Sequence, residues 1–364
     1  MKLYINGLFY KGSGIGRYYE SLLKELANKG LTIYTSVPKK LQNDWIKQFN
    51  GFKNIIPIFV DYEKFSIRGF YTHGKILKKL EKDVDVFFFP HINLPKYVPL
   101  KTIVTIHDLR PLTKWWDRGK IKRKIYTFFL RRALYKSRKI ISVSYATKNE
   151  IVKFFKNFEE KIEVIYNFID EKFLKAKKNE DPLIKENYFL FVGNRKKHKN
   201  LVNLILAYNK IKDKIDGKLV IVGSRDTKGE DDIDKLIKNL NLKNYVIQFP
   251  FSSDDTLINL YTYSKLFVFP SFYEGFGYPP LEAIACNCPA ICSKIPVLKE
   301  ILGEKIACFD PSSIEDIAEK ILKIWENKEK QIELLKEGKI RLKNYHKDKI
   351  VNQYIKLFQK ESAL

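Results

Sequence analysis

The stretch Phe267-Val-Phe-Pro270-Ser-Phe-Tyr-Glu274-Gly-Phe-Gly277-Tyr-Pro279-Pro280-Leu-Glu282-Ala-Ile-Ala285 decides the reading of this chain. An apolar run ends at Pro270, a glycine-containing loop follows, and Pro279-Pro280 sit where a helix opens, since proline lacks the N–H that a first helical turn leaves unpaired. Glu274 is therefore expected in a loop at the carboxyl end of a strand, and Glu282 in the first turn of the next helix. In an open α/β sheet ligands bind at that end of the strands. Two carboxylates there can accept hydrogen bonds from vicinal hydroxyls, as on a sugar or a ribose, while Gly275 and Gly277 let backbone N–H groups come close.

Working outward, short apolar runs alternate with amphipathic stretches, which is the pattern of parallel sheets with crossover helices. Strands are predicted at 2–6, 31–36, 55–60, 84–89, 102–106, 139–144 and 162–165, with helices at 15–29, 70–82, 120–137 and 146–157. The polar stretch from Asn167 to Glu186 reads as a linker. A second series starts at Tyr188 and continues through 218–223, 245–249, 266–269, 289–292 and 306–309, and the tail from about 312 to 360 is helical with a break near Asn344-Tyr345. The domains are thus 1–170, a linker at 171–186, and 187–344, giving two similar α/β domains with a cleft between them.

The chain has 364 residues, 45% of them hydrophobic, enough for two cores. No apolar run approaches the ~18 residues of a membrane span, and the amino terminus lacks the apolar stretch of a signal peptide. Cys286, Cys288, Cys292 and Cys308 lack metal-site spacing and read as small buried residues in a reducing cytosol. Net charge is +25, and most of it lies early: residues 1–172 hold 34 Lys and Arg against 16 Asp and Glu. That excess points to an anionic partner, although a lysine-rich surface alone accounts for some of it.

Four further constellations carry chemistry. Gly12-Ser-Gly14-Ile-Gly16-Arg17 joins the first strand to the first helix, where glycines let backbone amides face an anion. Its spacing is not that of a dinucleotide fingerprint. Arg195 and Lys199, in Gly193-Asn-Arg-Lys-Lys-His-Lys199-Asn200, bracket a strand-to-helix loop and could clamp a diphosphate without a metal. His107, following the strand 102–106, could hydrogen-bond a substrate hydroxyl; His91 is a poorer candidate, and Asp83-Val-Asp85 is not read as a metal site because it opens a strand. Residues 114–139 hold eleven cationic groups beside Trp115 and Trp116, with only Asp117 opposing. Trp115, Trp116, Arg118, Lys120, Lys122, Arg123 and Lys124 are the candidates there for contact with anionic lipid or acceptor, with single-stranded nucleic acid or a merely solvated helix as rivals.

Taken together, these residues resemble the family 4 retaining glycosyltransferases of GT-B fold over nearly the whole chain. Phe-Val-Gly-Asn-Arg-Lys-Lys-His-Lys-Asn-Leu and Pro-Ser-Phe-Tyr-Glu-Gly-Phe-Gly-Tyr-Pro-Pro-Leu-Glu-Ala look like that family's two donor-site motifs. The resemblance implies two Rossmann-like domains facing a deep cleft, with residues 345–364 returning to the first domain. It implies that Glu282 holds the ribose hydroxyls of a sugar nucleotide and that Glu274 meets the sugar near the reacting carbon. Gly275, Phe276 and Gly277 would offer backbone amides, and Arg195 and Lys199, assisted by Gly14 and Gly16, would stabilise the diphosphate. His107 would touch the donor sugar, and the backbone near Phe249 to Phe251 would read the base. The amino-terminal loop departs from the paired glycine of many members.

The activity so implied is metal-independent, retaining transfer of a hexose to a membrane-associated glycan or glycolipid. GDP-mannose is the first donor expected and a UDP-hexose the second, with no cofactor. The enzyme would be cytoplasmic and peripheral on the inner face of the plasma membrane. Alternatives are a basic nucleic-acid-binding protein, an inactive GT-B scaffold subunit, or a phosphorylase on the same fold.

Overall fold

The computed structural model describes residues 1–178, 181–225, 229–250 and 253–363. The chain divides into two compact units, Met1–Asn167 together with the chain from Lys347 on, and Phe168–His346. The stretch read as linker, 171–186, falls in the second unit, where Phe173 is fully buried.

The first unit is built on the strands β1 (Lys2–Asn6), β2 (Thr32–Pro38), β3 (Ile55–Val60), β4 (Val86–Phe89), β5 (Thr102–Ile106), β6 (Lys139–Ser142) and β7 (Ile162–Val164). They pair in parallel in the order β3-β2-β1-β4-β5-β6-β7. Helices cover both faces of such a sheet, so its central strands read as mostly apolar runs. Phe87, Phe88 and Phe89 are all buried for that reason. Serines start two of the covering helices: Ser66 Oγ accepts from Gly69 N–H, and Ser144 Oγ from Thr147 N–H. The helix Gln42–Phe49 has no counterpart in the sequence reading. Its only buried anchors are Trp45 and Phe49, one turn apart, too little periodicity to stand out.

The second unit holds β8 (Tyr188–Val192), β9 (Lys218–Val222), β10 (Val246–Phe249), β11 (Leu266–Phe269), β12 (Ala290–Ser293) and β13 (Ala307–Phe309). Their order is β10-β9-β8-β11-β12-β13, again all parallel. In each sheet the chain runs outward from the middle in one direction and then in the other. The order reverses between β1 and β4 in one unit and between β8 and β11 in the other. Loops leaving the two strands at such a reversal diverge and open a crevice.

The last helix, Lys347–Ser362, belongs to the first unit. Tyr354 and Phe358 are buried with their ring centroids 6.0 and 5.3 Å from that of Phe88 on β4. The Tyr354 and Tyr18 hydroxyls lie 2.6 Å apart. Arg138 Nε donates to the buried Glu361 carboxylate at 2.5 Å, fixing the helix end. Phe358→Ala is therefore expected to lower the unfolding free energy by about 3–5 kcal/mol, measured by chemical denaturation.

Candidate active site

The geometry is sharpest at the reversal in the second sheet. After β8 the chain turns through Gly193 to Asn200, which takes a left-handed backbone (φ 58°). The Asn200 side-chain amide donates to Pro270 O at 3.0 Å, at the end of β11, and to Pro311 O at 2.7 Å. Phe272 N–H donates to His198 O at 2.8 Å. These three bonds tie the loop after β8 to the loops after β11 and β13. They bring Lys199 to Glu274: Nζ donates to Oε1 at 2.6 Å, with both side chains only 12–13% exposed. The ammonium also stands 5.0 Å from the Phe269 ring centroid, an apolar wall that strengthens the local field.

Glu274 leads into Gly275, Phe276 and Gly277. Gly277 has φ +100° at the start of the helix Tyr278–Ala285, and a Cβ there would lie 2.7 Å from Leu298, so only glycine fits. Phe276 is buried and meets Tyr278 and Tyr345 edge-on, so its side chain holds the loop while Gly275 stays partly exposed. Glu282 lies one turn into that helix, 2% exposed, and accepts from the Tyr261 hydroxyl at 3.1 Å. Burial, and Glu282 beside it, push the Cys286 thiol pKa far up; Cys288 is pushed up to about 12 by burial. All four cysteines are free thiols.

Arg195 is differently placed. Its guanidinium donates to Asp231 and Asp234 at 3.0 Å each and to Gln248, with the side chain 2% exposed. Arg225 Nε adds a 2.9 Å bond to the second oxygen of Asp234. Against its own burial, the Asp234 carboxyl is held below its usual pKa by the Asp231 backbone N–H and then by Arg195 and Arg225. Arg195 thus braces the loop after β8 against the elements at the ends of β9 and β10. Phe251 lies outside the described residues.

Three contributors escaped the sequence reading. Asn200 carried only the weak signal of an asparagine just before a helix. Gly223 closes β9 so near its neighbour that a Cβ would sit 1.8 Å from Gly193 O. Tyr261 has no local signal, because its link to Glu282 is purely tertiary.

In the first unit, Gly12 caps the helix Ser13–Asn28, and Gly14 and Gly16 lie in its first turn, with no acidic side chain there. A Cβ on Gly14 meets open space, whereas one on Gly16 would lie 2.7 Å from Phe9 O. Gly16 is thus required by packing and Gly14 lines an open approach. His107 follows β5 and its Nε2 lies 2.8 Å from Pro90 O, which makes Nε2 the donor and leaves Nδ1 as the acceptor nitrogen. Burial holds its pKa down. Asp85 accepts from Lys2 N–H at 2.7 Å, a structural role at the entry to β4.

Near His107 lies a buried polar cluster at the reversal between β1 and β4. Asn6 Nδ2 donates to His73 Nε2 (3.0 Å), and Asn6 Oδ1 accepts from His91 Nε2 (2.9 Å) and Leu8 N–H (3.2 Å). Asn93 N–H donates to His91 Nδ1 at 3.0 Å, and His73 Nδ1 donates to the Tyr62 hydroxyl at 2.8 Å. The pattern closes only with both rings neutral. Burial pushes His73 down to about 4 and holds His91 well below the ordinary histidine value. Because the folded ring resists protonation, the unfolded chain binds more protons below its own pKa near 6.5. Stability is thus full above that pH and falls as pH drops toward 4. His73 alone accounts for about 3 kcal/mol of that loss. In His73→Gln the slope of unfolding free energy near pH 5 should be smaller by about one proton, or roughly 1.2 kcal/mol per pH unit. An unchanged slope would remove the neutral-histidine assignment.

Residues 12–173 match the family "Glycosyltransferase Family 4" and residues 172–341 match "Glycosyl transferases group 1". The chain belongs to the glycosyltransferases that carry this pair of domains. It is 33% identical over 242 residues to the O-antigen chain mannosyltransferase RfbU of Salmonella typhimurium, a match covering 66% of this chain and 64% of that protein. It is 25% identical over 347 residues to O-antigen chain mannosyltransferase B of Escherichia coli, covering 86% and 87%. Among solved structures, Anabaena Alr3699/HepE in complex with UDP and glucose superposes with TM-score 0.80 at 15% identity, covering 99% of this chain and 100% of the other. That likeness establishes the GT-B fold of two Rossmann-like domains.

Proposed function

We propose that this chain is a retaining glycosyltransferase that moves a hexose, mannose in the first instance, from a nucleotide diphosphate sugar to a membrane-associated glycan acceptor in surface polysaccharide synthesis. The observation that carries the proposal is the 2.6 Å Lys199–Glu274 pair at the reversal between β8 and β11. Family membership and two O-antigen mannosyltransferase relatives support the reaction class and the mannose lean.

Breaking a glycosyl–phosphate bond builds negative charge on the departing diphosphate and positive character on the sugar ring. A cation already fixed where that charge develops lowers the barrier without reorganising at the moment of reaction. Lys199 is such a cation. Glu274 orients it and, through its second oxygen, can accept from a sugar hydroxyl. Glu282, further into the helix Tyr278–Ala285, is the carboxylate assigned to the ribose. Arg195 holds the loop that presents Lys199 rather than touching the phosphate itself, because its guanidinium is committed to Asp231, Asp234 and Gln248. His107, neutral with Nδ1 as an acceptor, suits a sugar hydroxyl donor.

With Glu274 engaged by Lys199, the proposal takes same-face attack steered by the leaving diphosphate over a covalent intermediate. The proposed chemistry assigns no step to a metal.

The test is a binding and hydrolysis screen of GDP-mannose, UDP-glucose, UDP-galactose, UDP-N-acetylglucosamine and dTDP-rhamnose with EDTA present. One donor should bind saturably, and Glu282→Ala should weaken it at least ~30-fold, the loss of charge-assisted hydrogen bonds. The product should keep the donor's anomeric configuration by NMR. Failure of every donor to bind, or an inverted product, would contradict the reading.

A further inference from the structure

The helix Gly119–Lys136 has two apolar faces, and only one of them is packed. Phe129, Leu130, Ala133 and Leu134 are buried in the core of the first unit. At roughly 100° per residue, Ile121, Ile125, Phe128 and Tyr135 fall within about 40° of one line on the opposite side. All four are open to solvent, at 76, 46, 51 and 69% exposure. A soluble helix has no reason to repeat large apolar residues at this spacing on its outer face.

The stripe continues onto a second helix, Ile67–Leu80. The Phe128 ring lies 6.0 Å from that of Phe70, and Phe70 lies 5.2 Å from Tyr71. Tyr71 and Ile67 are 56 and 81% exposed. Cations rim this surface: Lys120, Lys124 and Arg131 are exposed on one flank of the stripe, and Lys96 Nζ stands 5.2 Å from the Tyr71 ring centroid. The helix Gly119–Lys136 carries seven Lys and Arg and no acid, and Ile67–Leu80 also has no acid. By contrast, Trp115 and Trp116, which the sequence brings forward, are half-buried, and Trp116 Nε1 donates to Gly119 O at 2.9 Å.

We propose that this face, with Ile121, Ile125 and Phe128 at its centre and Ile67 and Tyr71 beside them, docks the first unit onto an anionic lipid surface. Charge complementarity selects the occupant. A nucleic acid would meet the cations but leave the isoleucines without a partner. A second copy of the chain would set like-charged rims against each other. A bilayer interface takes both halves, apolar side chains at the acyl boundary and cations among anionic headgroups. The inference rests on the proposed function only in explaining why an acceptor would be met there; the surface itself is read independently of the donor site.

The experiment uses the full chain and vesicles of phosphatidylcholine with about 30% phosphatidylglycerol. The chain should sediment with these and not with pure phosphatidylcholine. Ile121→Ser with Ile125→Ser and Phe128→Ser leaves every charge in place, and should weaken vesicle binding by about tenfold or more. A Phe128→Trp variant should gain blue-shifted emission, quenched by brominated acyl chains, when vesicles are added. Glu282→Ala should bind vesicles like the wild type, so that failure of the donor assignment and failure of this one are read separately. Undiminished vesicle binding by the triple serine variant would overturn the proposal. So would preference for RNA over vesicles, or a concentration-dependent dimer that the same variant dissolves.

Discussion

The proposed donor chemistry depends on the crossing of two loops where the second sheet reverses its order. Parallel strands release their loops on one side, and the two central strands send theirs in opposite directions, leaving a crevice that the fold itself does not fill. Here the crevice is narrowed by backbone-directed bonds from Asn200 and between Phe272 and His198, which fix the loops to each other. Lys199 and Glu274 are 75 residues apart in sequence and 2.6 Å apart in space because of those ties. An ammonium held by a carboxylate on a largely buried wall is a charge poised in advance, which is what a developing diphosphate needs.

The first unit solves a different electrostatic problem. Its central reversal is lined by Asn6, His73 and His91, all buried, and each ring is kept neutral by the direction in which its neighbours donate. Burial alone would expose the fold to the cost of unpaired polar atoms; the closed chain of donors and acceptors offsets that cost and fixes both tautomers. Burial likewise holds down the pKa of His107, beside this cluster. Exposed cations stand instead on the outer helix Gly119–Lys136, Lys120, Lys124 and Arg131 among them. The last helix completes the unit by covering β4, so residues from both ends of the chain build one core.

How much was legible follows from how local each signal is. The central strands, such as Val86–Phe89 and Leu266–Phe269, stand in the sequence as apolar runs bounded by turn residues, because a parallel strand buried on both faces has to be written that way. Glu274, Gly277 and Glu282 were legible because glycine, proline and carboxylate occur together at one strand-to-helix junction. The partner of Arg195 was not: nothing in Arg-Lys-Lys-His-Lys says which cation turns inward, and Asp231 and Asp234 decide it from 36 and 39 residues away. The same holds for the basic segment, where tryptophans draw the eye although isoleucines and a phenylalanine hold the exposed face. His73 sits in a helix with no distinguishing neighbours, and its role exists only once Asn6, Tyr62 and Tyr4, whose hydroxyl lies 2.7 Å from the ring's Nε2, surround it.

The most direct measurement is single-turnover transfer from the bound donor by Lys199→Met and Glu274→Gln, with donor affinity measured alongside. The account predicts a fall of about 10²- to 10³-fold in the chemical step in each variant, with much smaller changes in donor affinity, because the pair acts on charge that appears only as the bond breaks. A rate within about threefold of wild type in either variant would contradict it, since an oxyanion-type contact carries far more than that.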